Sequence, residues 1–172
     1  MARPGPRCLT ATIKRNDSQI VKHLLIVYHS KDGSTGKMSD AVLRGAEHPD
    51  IDVEVNRVLA KEAGLDELLW ADGLILGTPE NFGYMSGAMK DFFDRTFYPA
   101  EGKVEGLAYC VFISAGNDGT GALSSIKRIC SGFPFKQVHD PVISKGELSA
   151  ATLESCEELG MYMAAGVEAG IF

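Results

Sequence analysis

Short apolar runs alternate along the chain with stretches in which apolar residues recur every three to four positions. His23-Leu24-Leu25-Ile26-Val27-Tyr28 is nearly continuous and predicts a strand covered on both faces. Met38, Ala41, Val42, Gly45 and Ala46 then mark one face of a helix. Pro49-Asp50 interrupts, and the alternation of Ile51-Asp52-Val53-Glu54-Val55 predicts an edge strand. Leu65, Leu68 and Leu69 predict a short helix, and Gly73 to Leu76 a central strand. A glycine-rich segment, Gly77 to Gly87, reads as a long loop. Beyond it Met85, Ala88, Met89, Phe92, Phe93 and Phe97 share a helical face, and Tyr98-Pro99 is expected to stop that helix. Lys90, Asp91, Asp94 and Arg95 lie opposite, with Asp91 and Arg95 spaced for an i,i+4 pair.

Gly106 to Ile113 predicts another buried strand, and Ala122, Leu123, Ile126, Ile129 and Cys130 another helix face. Gln137 to Ile143 predicts a fifth strand that Pro141 makes irregular. Leu153, Cys156, Leu159, Met163 and Val167 stripe a final helix. Strands alternating with helices imply an α/β domain with a parallel sheet and right-handed crossovers. That domain is expected over residues 21–172. Residues 1–20 are polar, are broken by Pro4, Gly5 and Pro6, and are expected to form a flexible arm.

Composition narrows the function. The net charge is −6 and no dense Lys/Arg cluster occurs, which argues against a nucleic-acid surface. No apolar run approaches the ~18 residues of a membrane span, and residues 1–7 lack the apolar core of a secretory signal, so a cytoplasmic protein is expected. Cys8, Cys110, Cys130 and Cys156 are scattered without CxxC or Cys/His pairing, which argues for free thiols over zinc or thioredoxin-like chemistry. No metal is expected.

In a doubly wound sheet, ligands bind beyond the C-terminal strand ends. Three loops leaving such ends, after Tyr28, Leu76 and Ile113, are rich in Gly, Ser and Thr. The first places Ser30, Gly33, Ser34 and Thr35 ahead of a helix, where hydroxyls and free N–H groups suit a phosphate; the alternative is a plain helix cap by Ser34 or Thr35. A P-loop is excluded, because Lys31 and Met38 stand where its first glycine and its Ser/Thr belong. The second loop offers Thr78, Asn81, Phe82, Gly83 and Tyr84, and the third Ser114, Gly116, Asn117, Gly119, Thr120 and Gly121. Their glycines and aromatics suit a flat ligand held by main-chain groups, or else only turns and local packing.

Three blocks carry a family resemblance: Tyr28-His29-Ser30-Lys31-Asp32-Gly33-Ser34-Thr35, then Gly77-Thr78-Pro79 with Phe82-Gly83-Tyr84-Met85-Ser86-Gly87 through Arg95, then Ser114-Ala115-Gly116. The chain resembles the flavodoxin-like superfamily, most closely its NAD(P)H-dependent FMN reductases and the flavodoxin-like quinone reductases named after tryptophan-repressor binding. The resemblance implies a three-layer sandwich with a five-stranded parallel sheet of order 2-1-3-4-5. It implies that Ser30, Lys31, Asp32, Gly33, Ser34 and Thr35 surround the FMN phosphate. Thr78, Pro79, Glu80, Asn81, Phe82 and Gly83 would line the isoalloxazine. Ser114, Ala115, Gly116, Asn117 and Gly119 would close the other side. Asp32 and Asp118 place carboxylates near the flavin, with Lys31 and Lys37 to offset them.

The resemblance implies an enzyme that passes reducing equivalents from NAD(P)H through FMN to a quinone or other small acceptor, as a homodimer or homotetramer. Two alternatives stay open: a flavodoxin-type electron carrier, and a flavin-free binding or scaffold protein of the same fold. A carrier usually stacks an aromatic from the third loop on the flavin. Ser114 to Gly121 holds none, which favours a reductase with one ring face open to nicotinamide. His29, Tyr84 and His139 are candidates to orient substrate or protonate a quinone, against plain structural hydrogen bonding.

Overall fold

Alternate residues of each central strand go to opposite cores. Leu25, Val27, Leu74, Leu76, Tyr109, Val111 and Ile113 face one side of the sheet, and Leu24, Ile26, Ile75, Cys110 and Phe112 the other. This is why the strands read as unbroken apolar runs. The structure, a computed structural model, describes residues 21–30 and 33–172. The arm expected over residues 1–20 lies outside the described residues.

The strands are β1 (Lys22–Tyr28), β2 (Val53–Leu59), β3 (Gly73–Asn81), β4 (Tyr84–Met85), β5 (Ala108–Ala115), β6 (Lys136–Gln137) and β7 (Val142–Lys145). The helices are α1 (Ser34–Ala46), α2 (Leu65–Trp70), α3 (Gly87–Ala100), α4 (Thr120–Gly132) and α5 (Ala150–Glu168). The main sheet runs β2-β1-β3-β5, with β6 and β7 both pairing β5 in parallel. All five expected strands are present in the order 2-1-3-4-5. The fifth is delivered in two pieces, because the segment containing Pro141 leaves the ladder between Gln137 and Val142. The pairings Tyr28↔Gly77, Pro79↔Ser114 and Ala115↔Lys145 bring the C-terminal ends of β1, β3, β5 and β7 together.

Two boundaries differ from expectation. The second strand begins at Val53 and continues to Leu59, beyond the alternating stretch, because its partner β1 offers a ladder along its whole length. Helix α3 runs through Pro99 to Ala100. Proline in the last turn removes one backbone donor at an end that is already finishing. At its start, Ser86 Oγ accepts the Met89 N–H (3.2 Å).

Helices α1 and α5 cover one face. Their contact is a reciprocal glycine seam: a Cβ on Gly45 would overlap the Glu157 carbonyl, and one on Gly160 would overlap the Val42 carbonyl. Helices α3 and α4 cover the other face, where Phe92 and Phe93 are fully buried.

Candidate functional site

At the strand ends lies a cleft of ≈ 320 Å³. One wall is Ser30, Gly33, Ser34 and Thr35; the second is Pro79, Glu80 and Asn81; the third is Ser114, Ala115, Gly116 and Gly146.

The first wall is built by Ser30. Its Oγ accepts the N–H groups of Gly33 (3.3 Å) and Gly36 (3.1 Å), folding the loop back onto the start of α1. Gly33 takes φ 100°, a left-handed value that glycine accepts at no steric cost, and it supplies the helix N-cap without any side-chain cap. Neither Ser34 nor Thr35 is used as that cap. Among the described residues, no acceptor meets the N–H of Ser34 or Thr35. Thr35 is buried, and its Oγ1 shares a hydrogen with Ser114 Oγ at 2.7 Å. Lys31 and Asp32 lie outside the described residues.

The second wall departs from the expected long loop. Strand β3 continues to Asn81, turns over Phe82 and Gly83, and returns as β4 with Glu80 opposite Met85 and Asn81 opposite Tyr84. Both turn residues have positive φ, 52° at Phe82 and 68° at Gly83, the signature of a primed hairpin whose twist suits its strands. The Phe82 ring is fully exposed and does not line the cleft; nor do Thr78 and Gly83. Thr78 is buried below the hairpin, where its Oγ1 accepts the Ser86 N–H (3.0 Å) and donates to the Pro79 carbonyl (2.9 Å). The hairpin is bolted to α4. Glu80 Oε2 accepts the Ala122 N–H (3.0 Å), the Met85 N–H reaches Ser125 Oγ (3.3 Å), and the Gly83 carbonyl sits where a Cβ on Gly121 would be.

In the third wall, Ser114, Ala115 and Gly116 face the cleft, whereas Asn117 and Gly119 do not. Asp118 is also outside the lining. Its Oδ1 accepts the hydroxyl (2.7 Å) and N–H (2.9 Å) of Thr120, and these bonds hold its carboxyl below the usual range. The carboxylate expected to repel a phosphate is therefore engaged at the start of α4. Gly146, not anticipated from the sequence, joins this wall because its N–H donates to the Ala115 carbonyl (2.7 Å). The interrupted fifth strand concealed where that edge ends.

The three candidate proton donors lie elsewhere. His29 sits at the end of β1 with its Nδ1 buried and unpartnered among the described residues; desolvation lowers its pKa and favours the neutral ring. Tyr84 lines a separate groove between α3 and α4 with Phe93, Phe97 and Ile129. His139 packs on Tyr162 (4.8 Å between ring centroids), with Nδ1 2.7 Å from the Asp140 carbonyl oxygen. Cys110, Cys130 and Cys156 are buried free thiols. Burial pushes all three pKa values up, those of Cys130 and Cys156 to about 12, which removes thiolate chemistry at neutral pH. Cys8 lies outside the described residues. Among the described residues, no cluster of His, Cys, Asp or Glu has the makings of a metal site, and no helix is long and apolar enough to cross a membrane.

Residues 23–148 match the NADPH-dependent FMN reductase family. A flavodoxin of Aquifex aeolicus is 32% identical over 157 residues, covering 82% of this chain and 84% of that protein. An NAD(P)H dehydrogenase (quinone) of Acidithiobacillus ferrooxidans is 30% identical over 159 residues, covering 81% and 75%. Among solved structures, a flavodoxin from the domain Archaea superposes with a TM-score of 0.73 at 24% identity, over 85% of this chain and 99% of that one. A WrbA-like flavodoxin from Agrobacterium tumefaciens gives 0.70 at 24% identity, over 87% and 98%.

Proposed function

The chain belongs to the NADPH-dependent FMN reductase family, and from that premise we propose that its cleft holds FMN and serves the transfer of reducing equivalents from NAD(P)H to a quinone or another small acceptor. FMN, when bound, supplies the redox chemistry, taking a hydride and releasing electrons to the acceptor. The protein's part is to bind and orient it.

The donor set suits a phosphate at the first wall. Unmet N–H groups of Ser34 and Thr35 begin α1, and three hydroxyls stand beside them. The extended backbone of Pro79 to Asn81 presents main-chain edges suited to the polar rim of a flat ring. Apart from its own chain neighbours, no described residue comes within 4 Å of where a Cβ on Gly116 would be, so this side of the cleft is open.

The observation that carries the reductase reading is the third wall. Ser114, Ala115, Gly116 and Gly146 contain no aromatic ring to stack on a bound flavin, which leaves one face accessible to a nicotinamide. The A. ferrooxidans relative, named a quinone dehydrogenase, supports a quinone as acceptor. The A. aeolicus relative, named a flavodoxin, favours the second reading, an electron carrier. A homodimer or homotetramer belongs to the first reading. The exposed rings of Phe82 and Tyr98 support it, and light scattering on the purified protein tests it.

The deciding experiment is to load the protein with FMN, remove the excess, and add NADPH or NADH without oxygen. Prompt bleaching of the flavin bands, restored by a quinone, is the expected result. Bands that persist until a separate reductase is supplied point to the carrier. Failure to retain FMN overturns both readings.

A further inference from the structure

Among the described residues, Glu80 is the only ionisable residue lining the cleft. Among the described residues no Lys, Arg or His pairs with it; their acidic partners are other carboxylates. Lys145, near the mouth, acts on Asp118. The Glu80 carboxylate is also fixed in place, because Oε2 accepts the Ala122 N–H at the start of α4. The positive end of the helix dipole lies there and offsets part of its charge. A half-buried carboxylate held in the wall of the cleft places a negative charge beside whatever occupies it.

We propose that Glu80 sets the reduction potential of the flavin. The proposal rests on the placement of FMN in this cleft. A hydride carries two electrons and one proton, so the ring that receives it gains one negative charge unless a second proton follows. A fixed carboxylate opposes that charge and leaves the neutral oxidised ring untouched to first order, while its repulsion of the phosphate is the same in both redox states. Reduced flavin is then held less tightly than oxidised flavin, and the potential falls. A low potential makes the bound cofactor a stronger donor to neutral acceptors.

The geometry separates charge from scaffolding. The hairpin has two further attachments to α4, through Met85 and through Gly83, so the wall does not depend on Glu80 alone. Glu80→Gln keeps an oxygen that accepts the Ala122 N–H and removes only the charge. Glu80→Ala removes both.

The test compares the parent protein, Glu80→Gln and Glu80→Ala by titration with oxidised FMN and by spectroelectrochemical measurement of the two-electron midpoint potential. In Glu80→Gln, the Kd for oxidised FMN is expected to stay within about twofold, since the hydrogen bond survives. Reduced FMN is expected to bind roughly tenfold tighter, read as a rise of ~30 mV in the potential. Glu80→Ala is expected to show the same rise together with weaker binding of oxidised FMN. An unchanged or lowered potential in Glu80→Gln, with FMN bound, overturns this proposal and leaves the FMN site standing. Failure of the parent protein to take up FMN overturns the placement of the cofactor, and this proposal with it.

Discussion

Thr35 Oγ1 and Ser114 Oγ lie 2.7 Å apart, a shared hydrogen that joins the first wall of the cleft to the third across 79 residues of sequence. Thr35 is only 2% exposed, so its hydroxyl has few partners other than Ser114 or a ligand in the cleft. Thr35→Val keeps the shape and removes the donor. With FMN as ligand, loss of a hydrogen bond to a charged phosphate amounts to ~1.5–3 kcal/mol, so Kd is expected to weaken roughly 10- to 100-fold. Ser114→Ala leaves the Thr35 hydroxyl available and is expected to weaken binding much less. Fluorescence titration with FMN checks both.

Phe82 holds a left-handed φ of 52° at the hairpin tip with its ring in solvent. Asn tolerates that conformation better, and Asn-Gly is the preferred pair for a primed two-residue turn. Phe82→Asn is therefore expected to stabilise the fold by ~0.5–1 kcal/mol, read as a higher midpoint in urea. If the ring serves an assembly or a substrate, the same variant loses that activity while gaining stability.

Gly160 faces the Val42 carbonyl across the α1–α5 seam with no room for a methyl group. In an exposed helix, Gly→Ala stabilises by ~1 kcal/mol. Here overpacking reverses the sign, and Gly160→Ala is expected to destabilise by ~1–3 kcal/mol or more. Denaturant unfolding followed by circular dichroism measures it.

His29 gives stability a pH dependence. Burial lowers its folded pKa, whereas the unfolded chain titrates at about 6.5. Between those two values the unfolded state binds more protons, so this contribution is fully present above about pH 6.5 and declines as the pH falls toward the folded value. Urea midpoints recorded from pH 8 to pH 5 are expected to show a decline in that window that is smaller in His29→Asn.

The sheet was legible because each central strand is apolar on both faces, so Leu24 to Val27 and Tyr109 to Ile113 could hardly be anything but buried strands. The three walls were legible for a different reason: backbone that approaches a ligand needs Gly, Ser and Thr, and these concentrate after β1, β3 and β5. The hairpin was concealed because Asn81-Phe82-Gly83 puts an aromatic where a primed turn normally has Asn or Asp, and the stretch read as open loop. The same turn sends Phe82 outward, away from the cleft that its chemistry suggested. Asp118 misled in the opposite way. Its charge was visible in the sequence, but its two bonds to Thr120 depend on local backbone geometry that no residue count conveys. Gly146 enters the cleft only through the register of β7 on β5, a long-range relationship.

The seam between α1 and α5 also fixes an order of events during synthesis. Gly45 is covered by Glu157, made 112 residues later (157 − 45). At ~5–20 residues per second, a ribosome takes on the order of ten seconds to supply that cover. Throughout that interval the Met38, Ala41 and Val42 face of the nascent chain has no α5 to pack on, and it is the kind of surface that chaperones hold. The first wall of the cleft begins at the first turn of the same helix. Completion of the cleft is thereby tied to delivery of α5, and a chain stalled before that helix emerges carries the cleft's loops without the packing that holds them in place.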